Sequence, residues 1–385
     1  MRIASAFGVF SIALATVSAG ASTPANPKAS AKAKSVLDYF QGLPARADHR
    51  VVSGQFTDFG EGSNLKIAED IQAATGHWPG LIGADYADFA HGSVTYRTPD
   101  KTLLAYAKAG GLVTLSAHLP HPGGGGLRDR DVDLSQLLVA GSAQNLSWMR
   151  TLDSVAAGLT VLRDAGVVVL WRPLHEMNGD WFWWNGKDEA SFIALWRQMF
   201  DYFTKAKGLD NLLWIYSPNM GAKAAAYYPG DGYVDMTGLD CYTDNIDTNT
   251  IKGYGELAAL GKPFGFSEYG PHDASNPPGD FDYRRLIEGI RNHFPKACYF
   301  MSWNSKWSLT KNLFAKEFLD DAWIANREDL AIGSGIRLPI LRARNGRLEN
   351  LEGLDPVDAL GRDYGPIRME AMRRGFPAGF RPEAR

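Results

Sequence analysis

Short apolar runs recur along the chain and alternate with longer stretches in which apolar residues have helical spacing. We predict eight β-strands from the short runs, at residues 51–55, 80–85, 112–118, 167–174, 212–217, 235–242, 263–268 and 298–303. Near-continuous apolar runs are typical of parallel strands that are covered on both faces. Helical patterns lie between several of these runs, at residues 65–75, 102–109, 148–165, 188–207 and 281–293. The alternation predicts repeated βαβ units.

Eight such units favour one fold, a single (β/α)8 TIM barrel of the α/β class, over an open doubly wound sheet. A barrel of this kind can hold about 200 to more than 400 residues in one domain. No Gly-x-Gly-x-x-Gly pattern follows the first strand, so a dinucleotide site lacks its main support. The run Gly123–Gly126 lacks the Lys-Ser/Thr of a phosphate-binding loop, and we interpret it as a mobile loop. We assign residues 35–335 to the barrel.

The two ends of the chain have a different composition. Residues 1–21 resemble a secretory signal peptide, because Arg2 precedes a mostly apolar stretch that ends in Ala19-Gly20-Ala21. Residues 22–34 are rich in Ala, Pro, Lys and Ser, which predicts a flexible leader. Residues 336–385 predict a C-terminal extension, either packed on the barrel or partly disordered. The expected location is therefore secreted or periplasmic.

Charge and cysteine content exclude several classes of protein. The chain has 40 Lys and Arg against 43 Asp and Glu, so it has no basic excess that would indicate nucleic acid or an anionic membrane as a partner. No apolar run beyond the N-terminus is long enough to span a membrane. Cys241 and Cys298 are the only cysteines, which excludes a disulfide scaffold and a Cys-rich zinc site but leaves open whether the two are bonded.

Polar and aromatic residues follow the predicted strands, where a TIM barrel carries its active site. Glu176 ends the fourth strand and Glu268 the seventh, so the two should face each other across the barrel mouth. A pair of carboxyl groups across a cleft is what glycoside hydrolysis requires, one protonated and the other ionised. Structural ion pairs with Arg172 are the alternative at this point.

The surroundings of Glu176 favour a sugar site. Residues 171–184 contain four of the eleven tryptophans together with Asn, Asp and Gly, at the end of the predicted fourth strand and in the loop that we predict after it. Loops run over the surface, so these rings are poorly explained as core. Their flat faces would match the C–H face of a pyranose.

Four segments resemble motifs of glycoside hydrolase family 26, whose best-known members are β-mannanases. RPLHEMNGDWFWW (172–184) is similar to the acid/base motif of the family and FGFSEYG (264–270) to its nucleophile motif. YYPGDGYVDMTGLDCY (227–242) and YFMSWN (299–304) resemble its sixth-strand and eighth-strand regions. The resemblance extends from about residue 53 to about residue 307. It implies a (β/α)8 barrel and retaining double displacement on β-1,4-mannan, with no cofactor and no metal.

The resemblance also implies roles for individual residues. Glu176 would be the general acid/base and Glu268 the nucleophile. Independently of the resemblance, Arg172 has the strand parity of Glu176 and should point inwards, where its charge would keep Glu268 ionised. The substrate-binding residues would be His118, His175, Trp181, Asp240, Tyr242 and Trp303. Asn304 stands where many family members have Arg, which leaves the substrate itself open.

We therefore expect a secreted, monomeric β-glycanase that acts on mannan, galactomannan or glucomannan. A β-1,3-xylanase or a mixed-linkage β-glucanase of the same family is the nearest alternative. A non-catalytic polysaccharide-binding barrel is a second alternative, disfavoured because both glutamates are present. A metal hydrolase using His118, His121 and His175 is disfavoured, because the first strand has no His-x-His and the chain has no HExxH.

Overall fold

The computed structural model describes residues 23–272, 278–332, 341–344 and 347–350. The predicted signal peptide and most of the predicted C-terminal extension therefore lie outside the described residues. The chain divides into two compact units, the first ending at Gly333 and the second beginning at Ser334. In the second unit, Leu341–Arg344 and Arg347–Asn350 form an antiparallel pair.

Eight parallel strands form a closed barrel in the first unit, which confirms the predicted (β/α)8 fold. Neighbours in sequence are neighbours in the barrel, and pairing of the seventh strand with the eighth closes it. The strands are β1 (Gly54–Phe59), β2 (Leu81–Asp85), β3 (Leu112–Ser116), β4 (Val169–Arg172), β5 (Leu212–Tyr216), β6 (Met236–Tyr242), β7 (Phe264–Gly270) and β8 (Ala297–Ser302).

Helices connect most of these strands. The α-helices are α1 (Ala31–Gly42), α2 (Lys66–Thr75), α3 (Arg97–Lys108), α4 (Leu134–Leu138), α5 (Ala143–Asp164), α6 (Glu189–Asp201), α7 (Tyr254–Ala259), α8 (Arg284–His293) and α9 (Ala315–Leu319). The short 3-10 helices are Leu43–Ala45, Gly60–Gly62, Asp231–Tyr233, Ser305–Trp307, Leu309–Lys311 and Arg327–Asp329, and a π-helical turn spans Tyr202–Ala206. The two-residue strands are Val51–Val52, Ala87–Asp88, Ser93–Val94 and Ile324–Ala325. Between β5 and β6 the connection has a single 3-10 turn in place of an α-helix.

The prediction of a flexible leader at residues 22–34 is wrong over its described part. The Ala25 N–H donates to Asp235 (2.7 Å), and the Asn26 amide donates to the Leu209 carbonyl (3.2 Å). Ser30 caps α1, whose apolar side packs with residues from the N-terminal ends of the barrel strands. The composition is that of a linker, but the polar groups have partners on the barrel. This segment therefore belongs to the barrel unit.

The same end of the barrel holds a buried carboxyl group. Both oxygens of Asp235 accept backbone N–H groups, from Ala25 and from Trp214 (2.7 Å each). Burial raises the pKa of Asp235 to about 6, although these two donors favour its charged form. The N-terminal segment is therefore tied to the barrel by a group that water does not reach.

Two further findings bear on the sequence expectations. Cys241 and Cys298 are both buried free thiols, which settles the question of their pairing. Within the described residues, no helix has the length and apolar character needed to cross a membrane.

Candidate active site

A cleft of about 600 Å³ opens at the carboxyl ends of the barrel strands. It contains every site residue that the sequence predicts, with the exception of Asp240. The lining residues are His118, Arg128, His175, Glu176, Trp181, Phe182, Asn219, Met220, Tyr242, Glu268, Trp303 and Trp307.

Glu268 lies near the end of β7, beside Asp240 of β6, just after a register irregularity that follows Phe266. The residue is 4% exposed, and its carboxylate accepts hydrogen bonds on both oxygens. One oxygen accepts from the Arg172 guanidinium, and the other accepts from the Tyr242 hydroxyl (2.8 Å). Donors of this kind stabilise the ionised form of a carboxyl group.

Asp240 lies behind the cleft, so its predicted role in binding substrate is wrong. It is fully buried, and its two oxygens accept from Arg172 (2.8 Å) and from the Ser217 hydroxyl (2.8 Å). Burial opposes the charge of Arg172, but the carboxylates of Asp240 and Glu268 outweigh that effect and raise the pKa of the guanidinium. Asp240 therefore positions Arg172 against Glu268. The alternation of side chains along β6 correctly predicts that Asp240 lies at the end of the strand, but it does not predict which residue Asp240 contacts.

Glu176 lies on a tight turn after β4. Its φ is 57° and that of Leu174 is 45°, values that non-glycine residues adopt mainly where the surroundings enforce them. The Glu176 N–H donates to the Ser217 carbonyl (2.7 Å), and its carboxyl group accepts from the Trp181 indole N–H (2.6 Å). Burial and the charge of Glu268 raise the pKa of Glu176 to about 7. A large share of the molecules therefore carries a proton on Glu176 near neutral pH.

Asn185 holds this turn together, although the sequence analysis did not identify it. Its side-chain oxygen accepts from the N–H groups of Trp181 (3.0 Å) and Phe182 (2.7 Å), and its amide donates to the Glu176 carbonyl (2.8 Å). The residue is completely buried. The Asn185-Gly186 dipeptide is a turn signal that could have indicated it.

Three of the four tryptophans near Glu176 are part of the core. Trp171, Trp183 and Trp184 are completely buried, and the last two donate their indole N–H groups to backbone carbonyls (2.8 and 2.7 Å). Only Trp181 lines the cleft. The hypothesis of a four-ring sugar platform is therefore wrong, because three of the four rings are buried and cannot contact a substrate.

His118 and His175 form a pair of neighbouring rings, of which His175 lies next to Glu268. Asp85 is bound to His118 through the ring (2.9 Å) and the backbone N–H (3.0 Å), and the two imidazole Nε2 atoms are 3.3 Å apart. Burial opposes the charge of His118, but Asp85 outweighs it and raises the pKa. Burial and the charge of Arg172 lower the pKa of His175 well below its usual range. These opposite shifts favour His118 as the donor between the two Nε2 atoms.

The histidine set of the metal-hydrolase alternative is not brought together. His121 is outside the cleft lining, and its ring is bound to Asp131 (3.0 Å) and to amides of the glycine-rich loop. One oxygen each of Glu176, Asp240 and Glu268 lie within 4.8 Å of one another, which is a spacing that could suit a cation. Arg172 already supplies a positive charge to two of these carboxylates.

Aromatic rings form the remaining wall. Trp303, after β8, is stacked on Phe56 with ring centroids 4.0 Å apart and planes 4° apart. Trp307 lies edge-on to Tyr242 at 5.9 Å, and Arg128 reaches the cleft from the loop after β3. Neither Trp307 nor Arg128 was predicted, because both lie in loops whose path the strand pattern does not define.

Comparisons with known proteins agree with this geometry. The model of glycosyl hydrolase family 26 matches residues 25–329. The chain is 35% identical over 355 residues to mannan endo-1,4-beta-mannosidase A and B of Caldalkalibacillus mannanilyticus, covering 85% of this chain and 68% of the relative. It is 34% identical to a mannan endo-1,4-beta-mannosidase of Bacillus subtilis, covering 82% of this chain and 91% of the relative. The structure of the Bacillus subtilis mannanase BCman superposes with a TM-score of 0.77 at 34% identity, over 84% of this chain and all of the other. The chain therefore belongs to glycosyl hydrolase family 26.

Proposed function

We propose that this protein is a secreted, retaining endo-β-1,4-mannanase that cleaves mannan, galactomannan or glucomannan. The names of its relatives support the substrate. The observation that carries the reaction is the contrast between two neighbouring carboxyl groups. Glu176 has a pKa of about 7, while Glu268 accepts from a guanidinium and a phenol. This contrast assigns the acid and the nucleophile.

The first step forms a glycosyl-enzyme ester. The Glu268 oxygen attacks the anomeric carbon, and Glu176 transfers its proton to the departing glycosidic oxygen as that bond breaks. Arg172 and Tyr242 hydrogen-bond the Glu268 carboxylate and fix its orientation for attack. Trp181 holds the Glu176 carboxyl group through its indole N–H.

The second step reverses the role of Glu176. Ester formation removes the charge of Glu268, which is one of the causes that raise the pKa of Glu176. The pKa then falls, and Glu176 takes a proton from the water that attacks the anomeric carbon, while the bond from that carbon to the Glu268 oxygen breaks and frees the carboxylate. Retention is supported by the approach of the two carboxyl groups, with oxygens within 4.8 Å of each other. Retaining enzymes have a separation of about 5–5.5 Å and inverting enzymes one of about 6.5–9.5 Å.

One set of assays tests this proposal. The purified protein from Ser22 onwards is incubated with galactomannan, glucomannan, β-1,3-xylan and lichenan, next to Glu176→Ala and Glu268→Ala. We expect activity on the mannans, loss of it in both variants, and a first product of retained anomeric configuration by NMR. Azide should restore turnover of an activated aryl mannoside by Glu176→Ala, because such a leaving group needs no acid and azide, unlike water, attacks the glycosyl-enzyme without a general base. Full activity of Glu268→Ala, or an inverted first product, would refute the mechanism.

Secretion is tested separately, because it depends on residues 1–21. Expression of the full chain in a bacterial host should yield activity outside the cytoplasm and a processed N-terminus near Ser22. A chain that lacks residues 2–21 should stay inside the cell. Retention of the full chain in the cytoplasm, with an unprocessed N-terminus, would contradict this part of the proposal.

A further inference from the structure

Phe89 is the most exposed of the large apolar side chains among the described residues, at 56%. It lies after β2, in the turn between the two-residue strands Ala87–Asp88 and Ser93–Val94. A single exposed apolar side chain needs no explanation by itself. The position of this ring relative to the cleft makes it different from the others.

A row of aromatic rings connects Phe89 to the cleft. The ring of Phe59 lies 5.7 Å from that of Trp303 and 5.1 Å from that of Phe89. Phe89 also lies 5.8 Å from the ring of His118, which lines the cleft. The apolar surface thus continues from the cleft to the outer turn.

The turn that carries Phe89 is held in place by hydrogen bonds. The Ala87 N–H donates to Asp85, at 2.7 Å. The carboxylate of Asp88 binds the ring of His91 (2.9 Å) and the hydroxyl of Ser93 (3.2 Å). The turn that carries Phe89 is therefore formed before any ligand arrives, which lowers the entropic cost of binding to it.

The row of rings lies on the glycone side of the cleft. Glu176 protonates the leaving group, so Trp181, which binds Glu176, marks the aglycone side. Trp181 follows β4, whereas Trp303 follows β8 and Phe59 ends β1. In a closed barrel of eight strands, β4 and β8 are diametrically opposite. A polysaccharide that crosses the mouth would therefore pass its glycone end over Phe59 and Phe89.

We infer that Phe89 is a distal glycone-binding residue, on which a hexose beyond the one attached to Glu268 stacks. This inference rests on the proposed function, because it needs a β-linked polysaccharide as substrate. The ring presents an apolar face to the C–H face of the sugar. Asn304, which hydrogen-bonds Asp58 (3.4 Å) next to Phe59, supplies polar groups along the same path.

A series of substrates of increasing length tests the inference. kcat/KM is measured on mannotriose to mannohexaose and on an aryl β-mannoside, for the unmodified protein, Phe89→Ala and Phe89→Trp. Phe314→Ala is the control, because Phe314 is also exposed (41%) but contacts Arg284 and no ring of the cleft. We expect kcat/KM of Phe89→Ala to fall about three- to tenfold on the longest substrates, mainly through KM. Hydrolysis of the aryl mannoside by Phe89→Ala should be unchanged. Phe89→Trp should keep the kcat/KM of the unmodified protein on the longest substrates.

Product analysis distinguishes the two sides of the cleft. With mannohexaose labelled at the reducing end, Phe89→Ala should shift cleavage towards products with fewer sugars on the glycone side. A shift towards products with more sugars on the glycone side, or equal kcat/KM at all lengths for Phe89→Ala and the unmodified protein, would overturn the inference. An unmodified protein that hydrolyses none of these substrates would instead refute the proposed function.

Discussion

Replacing Trp181 with Phe should move the upper pH limit of activity to higher pH. The indole N–H of Trp181 donates to Glu176 over 2.6 Å, and this bond lowers the pKa of Glu176 against the larger effects of burial and of Glu268. Phenylalanine keeps a ring beside the carboxyl group and removes only the donor. The charged form of Glu176 then loses a partner, so its pKa should rise.

The size of the shift follows from the strength of the bond. A hydrogen bond to a charged group contributes about 1.5–3 kcal/mol, and about 1.4 kcal/mol corresponds to one pKa unit. The upper bound is therefore about one to two units. Phe is smaller than Trp, so water gains some access to Glu176. That water partly replaces the lost hydrogen bond and reduces the effect of burial on the pKa of Glu176. We expect a net rise of about one unit.

The assay is the pH dependence of kcat/KM, whose limbs report the free enzyme. Glu176 must be protonated to act first, so the unmodified protein should lose activity as pH rises through about 7. For Trp181→Phe, the fall of kcat/KM at high pH should occur at a higher pH than in the unmodified protein, whatever the maximal kcat/KM of the variant. Trp303→Phe is the control, because Trp303 lines the cleft but makes no bond to Glu176. An unshifted limb, or one at lower pH, would refute this account of Glu176.

Three further outcomes follow from single contacts. Tyr242→Phe removes the hydroxyl that donates to Glu268, and kcat should fall about 10- to 100-fold with little change in unfolding temperature. A Cβ at Gly54 would lie 2.2 Å from the Phe300 carbonyl oxygen, so Gly54→Ala should lower the unfolding free energy by about 3 kcal/mol or more in urea titrations. Gly42→Ala is the control and should not lower it, because a Cβ at Gly42 meets open space. Burial opposes the charge of His77, but the two carboxylates bonded to its ring nitrogens outweigh burial and raise its pKa. The charged His77 ring therefore stabilises the fold fully at pH values below the ordinary histidine pKa, and this stabilisation is lost as pH rises through the raised pKa. The difference in unfolding temperature between the unmodified protein and His77→Gln should therefore be larger at about pH 6 than at about pH 9, and an equal difference at both would contradict it.

The order of apolar runs was sufficient to predict the barrel, because parallel strands buried on both faces leave a strong pattern. The ends of the predicted strands at residues 235–242 and 298–303 lie within one residue of the ends of β6 and β8. Helix starts were less predictable. α5 begins at Ala143, five residues before the predicted 148, since Ser142 caps it and its first turn carries few apolar residues. A pattern based on apolar spacing finds the side of a helix that faces the core and misses a polar first turn.

The site was predictable only as far as it depends on regular strands. Glu176 and Glu268 were identified because strand ends in a barrel meet at one face, and both line the cleft. Asp240 was assigned to the substrate although it binds Arg172, because position along a strand does not specify the partner of a side chain. Asn185 was missed, since its three hydrogen bonds join residues of an irregular loop.

The two halves of the cleft are therefore maintained by different physical means. The nucleophile side is built on the strands themselves, where Arg172 of β4 bridges Asp240 of β6 and Glu268 of β7 within the barrel. Removing the guanidinium would leave two buried carboxylates without their cation, at a cost of about 3–5 kcal/mol, so Arg172 cannot be replaced without weakening the fold. The acid side depends instead on a strained turn at Glu176 that hydrogen bonds hold in place. Changes in that loop can shift the pKa of the acid while the barrel and the nucleophile stay intact, so the pH range of activity can vary independently of stability.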